Sequence, residues 1–226
     1  MSEIQQEIDI LPKCIGVFGG SFDPVHLGHT QLATHVANEL GLSKILLIPA
    51  YISPHKTSKA LAPHASAKQR SSMVNLVCQQ HSLFTLDERE LVRAGHSFTL
   101  DTLRDLKLSY PTKTLYLIIG MDSLVNFDRW HGYQEILTLC HVVVNTRPNY
   151  EVKQLNPKVM AFVKKHQETK LDKLKKSLTG KIYFTQPKLV DISSTEIRQR
   201  FQQQKDCHQQ LQIEILEFIH KNKLYR

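Results

Sequence analysis

Short apolar runs alternate with longer amphipathic stretches along the chain, a pattern typical of alternating strands and helices. The apolar runs predict strands at residues 15–18, 44–48, 83–86, 114–119, 141–145 and 182–184. Leucine and alanine at helical spacing predict helices at residues 28–40, 67–80, 99–108, part of 124–139, 194–203 and 209–221. Residues 50–66 are predicted to form a long loop. Strands that alternate with helices favour an α/β fold on a parallel sheet with right-handed crossovers.

The chain of 226 residues is expected to form one domain, residues 1–226. Its core is predicted at residues 13–150 and 182–203. Residues 151–181, with nine lysines against three acids, are predicted to form a lysine-rich helical insertion. Residues 204–226 are predicted to add a C-terminal helix.

Composition excludes several classes of protein. Hydrophobic residues make up 41% and charged residues 22%, which is ordinary for a globular protein. No apolar run approaches the roughly 20 residues that a membrane span needs. The N-terminus is acidic and polar, unlike a secretory signal, so we expect a cytoplasmic protein. The net charge of +8 favours anionic ligands without selecting among them.

The cysteines lie far apart in the sequence, with no CxxC pair and no Cys/His cluster at zinc-ligand spacing. A disulfide framework or a structural zinc site is therefore not expected. We predict reduced, mostly buried thiols at Cys14, Cys78, Cys140 and Cys207.

The segment GVFGGSFDPVHLGHT, residues 16–30, carries the strongest chemical signal. A predicted strand runs into Gly19 and Gly20, and His26 and His29 follow at a predicted helix start. Glycines let backbone N–H groups approach a ligand, and a helix N-terminus favours phosphate. Residues three apart share a helical face, so the two histidines can direct two donors at one anionic centre. The segment matches neither the Walker loop nor the GxGxxG fingerprint.

A second segment, ISSTEIR, combines hydroxyl groups with an arginine at a predicted helix start. Ser193, Ser194 and Thr195 can either cap the helix or bind phosphate. Arg198 lies in the first helical turn, where a cation opposes the helix dipole unless an anion is near. This position favours phosphate binding.

For five further residues, a functional role has to be weighed against a purely structural one. Lys56 lies on the long loop and can reach a phosphate or simply be solvated. Asp122 follows a strand, where it can accept ribose hydroxyls or cap the next helix. Trp130 has polar neighbours, which favours a half-exposed ring that can stack on a flat ligand. Arg147 can pair with a phosphate, and Arg70 is expected to be structural.

Several segments resemble, in matching order, a known family of enzymes. GGSFDPVHLGH is similar to the GG[ST]FDPxHxGH signature of the nucleotidyltransferase superfamily that carries the HxGH motif. The segments IPAYISPHK, GMDSLVNFDRW, NTRPNY and DISSTEIR resemble blocks of the bacterial nicotinate-nucleotide adenylyltransferases. The resemblance covers about residues 13–220. Ser53, Phe98 and Asn149 depart from the family pattern, but none of the three removes a charged or donor group.

The resemblance implies a Rossmann-like, doubly wound parallel sheet with helices on both faces and a small C-terminal helical part. It implies transfer of the adenylyl group of ATP to nicotinate mononucleotide, with catalysis by His26 and His29. It implies that ATP and its phosphates are bound by Gly19, Gly20, Ser21, Phe22, Lys56, Ser193, Ser194, Thr195 and Arg198. It implies that nicotinate mononucleotide is bound by Thr99, Asp122, Trp130 and Arg147. Mg²⁺ is expected with ATP, held by phosphate oxygens and water rather than by a protein cluster.

Other functions stay open at this point. A related enzyme could act on nicotinamide mononucleotide, on phosphopantetheine or with a cytidylyl donor, and an inactive homologue would keep the same fold. The charge of +8 and the lysine-rich segment would suit a nucleic-acid-binding module, but no aromatic residues interleave with the lysines. We therefore expect small-molecule substrates and neither nucleic acid nor membrane as partners. The sequence leaves the oligomeric state open, with a homodimer as one option.

Overall fold

The computed structural model describes residues 13–54, 63–146, 155–185 and 192–226. Its strands are β1 (Cys14–Gly20), β2 (Ile45–Pro49), β3 (Phe84–Leu86), β4 (Thr114–Gly120), β5 (His141–Asn145) and β6 (Ile182–Thr185). Its helices are α1 (Leu27–Leu40), α2 (Ala67–Gln80), α3 (Arg89–Arg93), α4 (Thr99–Ser109), α5 (Met121–Val125), α6 (Tyr133–Leu139), α7 (Pro157–His166), α8 (Leu171–Lys176), α9 (Ser194–Gln202) and α10 (Ile213–Lys221). Phe127–Arg129 forms a short 3₁₀ helix.

The six strands form one sheet in the order β3-β2-β1-β4-β5-β6, and every neighbouring pair is parallel. The chain leaves β1 towards β2 on one side, and it later returns to place β4 on the other side. This reversal creates a switch point between β1 and β4, and open α/β sheets bind ligands beside the carboxyl ends of strands at such a point. The predicted Rossmann-like α/β fold is confirmed.

Alternating side chains of the strands enter two separate cores, one on each face of the sheet. Phe18, Ile118 and Val143 pack on one face with residues of α1, α2, α9 and α10. Val17, Leu117 and Val144 pack on the other face with residues of α4, α6 and α7. Because both faces are covered, the strands are apolar throughout rather than alternating.

The prediction that residues 124–139 are helical in part is confirmed. The helical segments there are interrupted at Gly132, where φ is +59° and an added Cβ would clash with Leu100. One predicted helix boundary was wrong. The helix expected at residues 209–221 begins only at Ile213. Before it, the Gln210 and Leu211 amides donate to the Cys207 carbonyl and hold a turn in place of helix.

The structure also bears on the membrane and cysteine predictions. Among the helices of the described residues, none has both the length and the apolar character needed to cross a bilayer. All four cysteines are free thiols, of which Cys140 and Cys207 are buried and Cys14 and Cys78 are half-buried.

Candidate active site

A cavity of about 710 Å³ opens at the carboxyl end of the sheet, at the switch point between β1 and β4. Eight residues expected to bind substrate or to catalyse contribute to its lining. They are Gly19, Gly20, Ser21, His26, His29, Thr99, Asp122 and Trp130. The volume lies in the range typical of pockets for small molecules and cofactors.

The two motif histidines lie side by side at the start of α1. Their ring centroids are 3.7 Å apart, and the His26 backbone N–H donates to His29 Nδ1 over 3.2 Å. Gly28 permits this arrangement, because an added Cβ there would lie 3.1 Å from the His26 ring. Both histidines therefore face the cavity from the positive end of a helix of 14 residues.

Phe22 lies behind the histidines and does not line the cavity. Its side chain is 2% exposed, and its ring packs edge-on against His29 with a centroid distance of 5.1 Å. The ring also contacts Phe18 at 5.8 Å. This burial gives Phe22 a packing role beside His29, while its expected contact with ATP stays a prediction.

Residues 21–26, the β1–α1 loop, are held from behind by two arginines of distant helices. Arg70 of α2 is 1% exposed and donates to the carbonyls of Ser21, Tyr51 and Ala65. Burial lowers the pKa of its guanidinium, while nearby Asp23 opposes that shift. The structural role expected of Arg70 is confirmed.

Arg198 of α9 binds the same loop. Its Nη1 donates to the Asp23 carbonyl over 2.7 Å and lies 3.7 Å from the Asp23 carboxylate. The anion that compensates the positive charge of Arg198 at the start of α9 is therefore the Asp23 carboxylate. The role of Arg198 in binding phosphate stays a prediction.

The Asp23 carboxylate accepts three hydrogen bonds from two separate parts of the chain. The amides of His64 and Ala65 donate to its carboxylate over 2.8 and 3.0 Å. The hydroxyl of Tyr225 near the C-terminus donates to it over 2.8 Å. Burial, together with the Asp23 carboxylate, raises the pKa of the Tyr225 phenol, which keeps that hydroxyl a donor. The C-terminal segment is thereby joined to the loop that precedes the histidines.

The hydroxyl groups of the ISST segment make local bonds. Ser193 Oγ accepts from the Glu196 amide over 3.1 Å and caps α9, so the capping alternative is confirmed for this residue. Ser194 Oγ donates to the Pro24 carbonyl, and Thr195 Oγ1 accepts from Arg198. None of these three lines the cavity, although Ile192 just before them does.

One side of the cavity is polar, and we call Glu90, Ser97, Thr99, Thr102 and Trp130 the polar wall. Thr99 is the first residue of α4, so its backbone N–H is directed away from the helix. The Trp130 ring is half-buried and packs against Phe127 with a centroid distance of 5.3 Å. This position agrees with the half-exposed ring that the polar neighbours of Trp130 predict.

Asp122 lies at the end of β4, beside the polar wall, and its side chain is exposed. Its carboxylate folds back over Gly120, where any Cβ would clash with it. The absence of a side chain at Gly120 therefore leaves room for the Asp122 carboxylate at this edge of the cavity.

Sequence reasoning missed Glu90, whose carboxylate is buried in the polar wall. Thr102 donates to Glu90 Oε1 over 2.6 Å, and Arg93 donates to Thr102 over 2.9 Å. Burial raises the pKa of the Glu90 carboxyl, while hydrogen bonds from Thr102 and Ser97 and the charge of Arg93 act against that shift. A polar pair 12 residues apart, such as Glu90 and Thr102, is not a recognisable sequence pattern. This network is therefore visible only in the tertiary structure.

Apolar side chains on the opposite side of the cavity include Phe18, Leu32, Ile118 and Ile192, and we call these four, together with Asn145, the apolar wall. Asn145 ends β5 and is 3% exposed. Its side chain shares a face of the sheet with Val143, because side chains alternate along a strand. Sequence reasoning missed this residue as well, since a polar end to an apolar strand is common.

Some expectations fall outside the described residues. Lys56 and Arg147 belong to this group, and so does the resemblance at residues 148–150. Among the residues that the structure describes, no group of three or more His, Cys, Asp or Glu side chains comes together as metal ligands.

Comparison with known proteins places this geometry in a defined class. A model of the cytidylyltransferase-like family matches residues 17–200, so the fold and the histidine site belong to that class of nucleotidyltransferase. A protein of Psychromonas ingrahamii, named as a probable nicotinate-nucleotide adenylyltransferase, is 40% identical over 97% of this chain and 100% of its own length. A protein of Pectobacterium atrosepticum with the same name is 37% identical over 96% of this chain and 100% of its own length. The chain belongs to the nicotinate-nucleotide adenylyltransferase family.

Solved structures support the fold at greater distance. The nicotinic acid mononucleotide adenylyltransferase of Plasmodium falciparum, complexed with NaAD, superposes with a TM-score of 0.71 at 18% identity. The match covers 94% of this chain and 97% of that chain. A second structure of the Plasmodium enzyme, complexed with APC, gives a TM-score of 0.68.

Proposed function

We propose that this protein transfers the adenylyl group of ATP to nicotinate mononucleotide, giving nicotinate adenine dinucleotide and pyrophosphate in NAD biosynthesis. The observation that carries the proposal is the histidine pair at the N-terminus of α1, facing a cavity at the switch point of the sheet. The cavity has one apolar and one polar wall, which suits two different aromatic groups. Family membership supports the same reaction.

The reaction needs positioning and charge stabilisation rather than a protein nucleophile. A phosphate oxygen of the mononucleotide attacks the α-phosphorus of ATP in line. The new P–O bond forms as the α–β bridging bond breaks, and pyrophosphate leaves with that electron pair. His26 and His29 stabilise the negative charge on the transferring phosphoryl group, together with the N-terminus of α1.

The β1–α1 loop and the ISST segment supply the ATP side of the site. Backbone groups of Gly19, Gly20 and Ser21 line the cavity beside the histidines. The other residues proposed for this side are Phe22, Lys56, Ser193, Ser194, Thr195 and Arg198. Mg²⁺ bound to the triphosphate would neutralise phosphate charge. The described residues offer no cluster of ligands for the ion, so phosphate oxygens and water would hold it.

The polar wall supplies the mononucleotide side. The backbone N–H of Thr99, at the start of α4, can donate to the nicotinate carboxylate. The half-buried ring of Trp130 can stack on the pyridine ring. Asp122 is proposed to accept ribose hydroxyls, and Arg147 is proposed to pair with the phosphate.

The proposal extends to the setting of the reaction. We propose that the chain works as one domain with small-molecule substrates, and that residues 151–181 are an insertion between β5 and β6. The position of α7 and α8 between these strands supports this division. A cytoplasmic location stays a prediction from the N-terminal sequence.

Pyrophosphate release from MgATP, with nicotinate mononucleotide and its amide analogue in parallel, tests the proposal. We expect kcat/KM for the acid to exceed that for the amide about 100-fold or more, because unpaired donors beside Thr99 are costly. Equal kcat/KM values for the acid and the amide would support adenylyl transfer but would overturn the carboxylate site at Thr99. Absence of release with both acceptors would overturn the proposed function.

A further inference from the structure

Asn145 occupies a position between two strand neighbours that cannot satisfy its side chain. Gly120 lies beside it on β4 and has no side chain. Thr185 lies beside it on β6, but its hydroxyl donates to Glu39 over 2.5 Å and contacts His35 Nε2 at 3.0 Å. Within the described residues, Asn145 Oδ1 is buried and has no hydrogen-bond partner.

A buried acceptor without a partner is unfavourable, and a donor group of a ligand can remove that cost on binding. Asn145 lies in the apolar wall and lines the cavity. A ligand that suits this wall has a flat apolar body and an N–H or O–H group at its edge. Adenine meets this description, since it has two apolar faces and an exocyclic amine.

The opposite wall is unsuited to the same group. Trp130, Thr99 and the buried Glu90 network make it polar, and the proposed function places the pyridine ring there. The two walls therefore offer separate places for the two aromatic rings.

We propose that Asn145 is a specificity-determining residue that reads the amino edge of adenine. Its Oδ1 accepts from the N6 amine, and the amide nitrogen of the same group can donate to a neighbouring ring nitrogen. Asparagine carries both a donor and an acceptor, which complements an adenine edge in two places. The base of ITP carries a carbonyl in place of the amine, so with the amide held in this orientation it would bring a second acceptor against Oδ1. The inference rests on the proposed function for the identity of the nucleotide.

The test compares ATP, ITP and 2′-deoxy-ATP as donors for wild type and for Asn145→Leu. We expect the wild type to prefer ATP over ITP about 100-fold or more in kcat/KM. In Asn145→Leu the preference is expected to fall to within about fivefold, with KM for nicotinate mononucleotide unchanged. The 2′-deoxy-ATP ratio is expected to stay at its wild-type value.

Two further variants control for structural damage. Asn145→Asp keeps an acceptor for the N6 amine but loses the amide donor, so it is expected to keep part of the preference for ATP over ITP and to raise KM for ATP. Thr185→Val removes a buried hydroxyl at the matching position of the next strand, so it is expected to lower stability without changing the ATP:ITP ratio. A wild-type ATP:ITP ratio in Asn145→Leu would overturn the proposal. The proposal would also be overturned if Asn145→Leu changed the ratio of ATP to 2′-deoxy-ATP in kcat/KM instead, because Asn145 would then recognise the ribose.

Calorimetric binding of ATP and ITP without an acceptor separates this inference from the proposed function. If no variant releases pyrophosphate but only wild type binds ATP more tightly than ITP, the inference stands and the proposed function fails. If wild type and Asn145→Leu discriminate equally in binding, the inference fails whatever the turnover shows.

Discussion

The β1–α1 loop and the polar wall border the same cavity, but they are held in place differently. The loop is fixed by groups distant in the chain, namely Arg70, Arg198 and Tyr225. The Glu90 network of the polar wall is fixed within a short stretch, since Glu90 and Thr102 are 12 residues apart. The position of the histidines therefore depends on the completed fold, whereas the wall that faces the pyridine ring can be altered more locally. Defects of the loop should lower turnover and stability, and defects of the wall should change the affinity for one substrate.

The sharpest test of the loop is His29→Ala. Loss of charge stabilisation is expected to lower kcat about 10²- to 10⁴-fold. The fold should survive, because the lost bond to the His26 amide resembles the loss of one helix cap, about 0.5–2 kcal/mol. Pyrophosphate release and thermal unfolding measure the two effects. His208→Ala, at an exposed histidine, serves as the control. Near-normal turnover of His29→Ala would show that His29 is not a catalytic residue.

Arg70→Met tests the distant support of the loop. The change leaves three carbonyls without this donor and weakens the compensation of the buried Asp23 charge. We expect a loss of about 3–5 kcal/mol in the free energy of unfolding, measured with urea. Arg104→Met, at a half-exposed ion pair with Glu135, should cost less than about 1 kcal/mol. Similar losses for both variants would contradict the role given to Arg70.

Tyr225→Phe removes one hydroxyl from the same support. Asp23 keeps the His64 and Ala65 amides as donors, so the loss is expected to be smaller, about 1.5–3 kcal/mol. Urea unfolding measures the loss, and kcat shows whether the histidines stay in position. An unchanged free energy of unfolding would show that the C-terminal segment does not support the loop.

Trp130→Ala tests the polar wall. Stacking of a base on an aromatic side chain is worth about 1–3 kcal/mol, so KM for nicotinate mononucleotide should rise roughly 10- to 100-fold. KM for ATP should change little, because the ring lies on the other wall from Asn145. Equal rises in both KM values would remove the separation between the walls.

The smallest expected effect concerns Glu90 and pH. Because burial raises the pKa of Glu90, the native state holds its proton more tightly than the unfolded state does. The stability of wild type should therefore fall as pH rises from the usual carboxyl value through the raised native value. Glu90→Gln lacks this dependence, so its free energy of unfolding relative to wild type should increase with pH. A difference that is flat or falls with pH would contradict the assignment.

The local parts of the site could be predicted because their signals are local. The spacing of His26 and His29 after a strand and two glycines is a property of one short segment, and the structure places both in the cavity. The half-exposed Trp130 followed from its polar neighbours. The boundary at Gly132 could not be predicted, since the clash that requires glycine there involves Leu100, 32 residues earlier in the chain.

Alternation of apolar runs was enough to establish the α/β fold, because the periodicity of strands and helices is encoded in neighbouring residues. Strand order and the partners of polar side chains were decided only by the folded chain. Arg198 meets Asp23 across 175 residues of sequence, and Tyr225 meets it across 202. In the sequence, Asn145 is one polar residue at the end of an apolar strand. Only the folded sheet shows that its neighbours are Gly120 and Thr185. Such contacts arise from the packing of distant segments, and no local pattern in the sequence records which segments will meet.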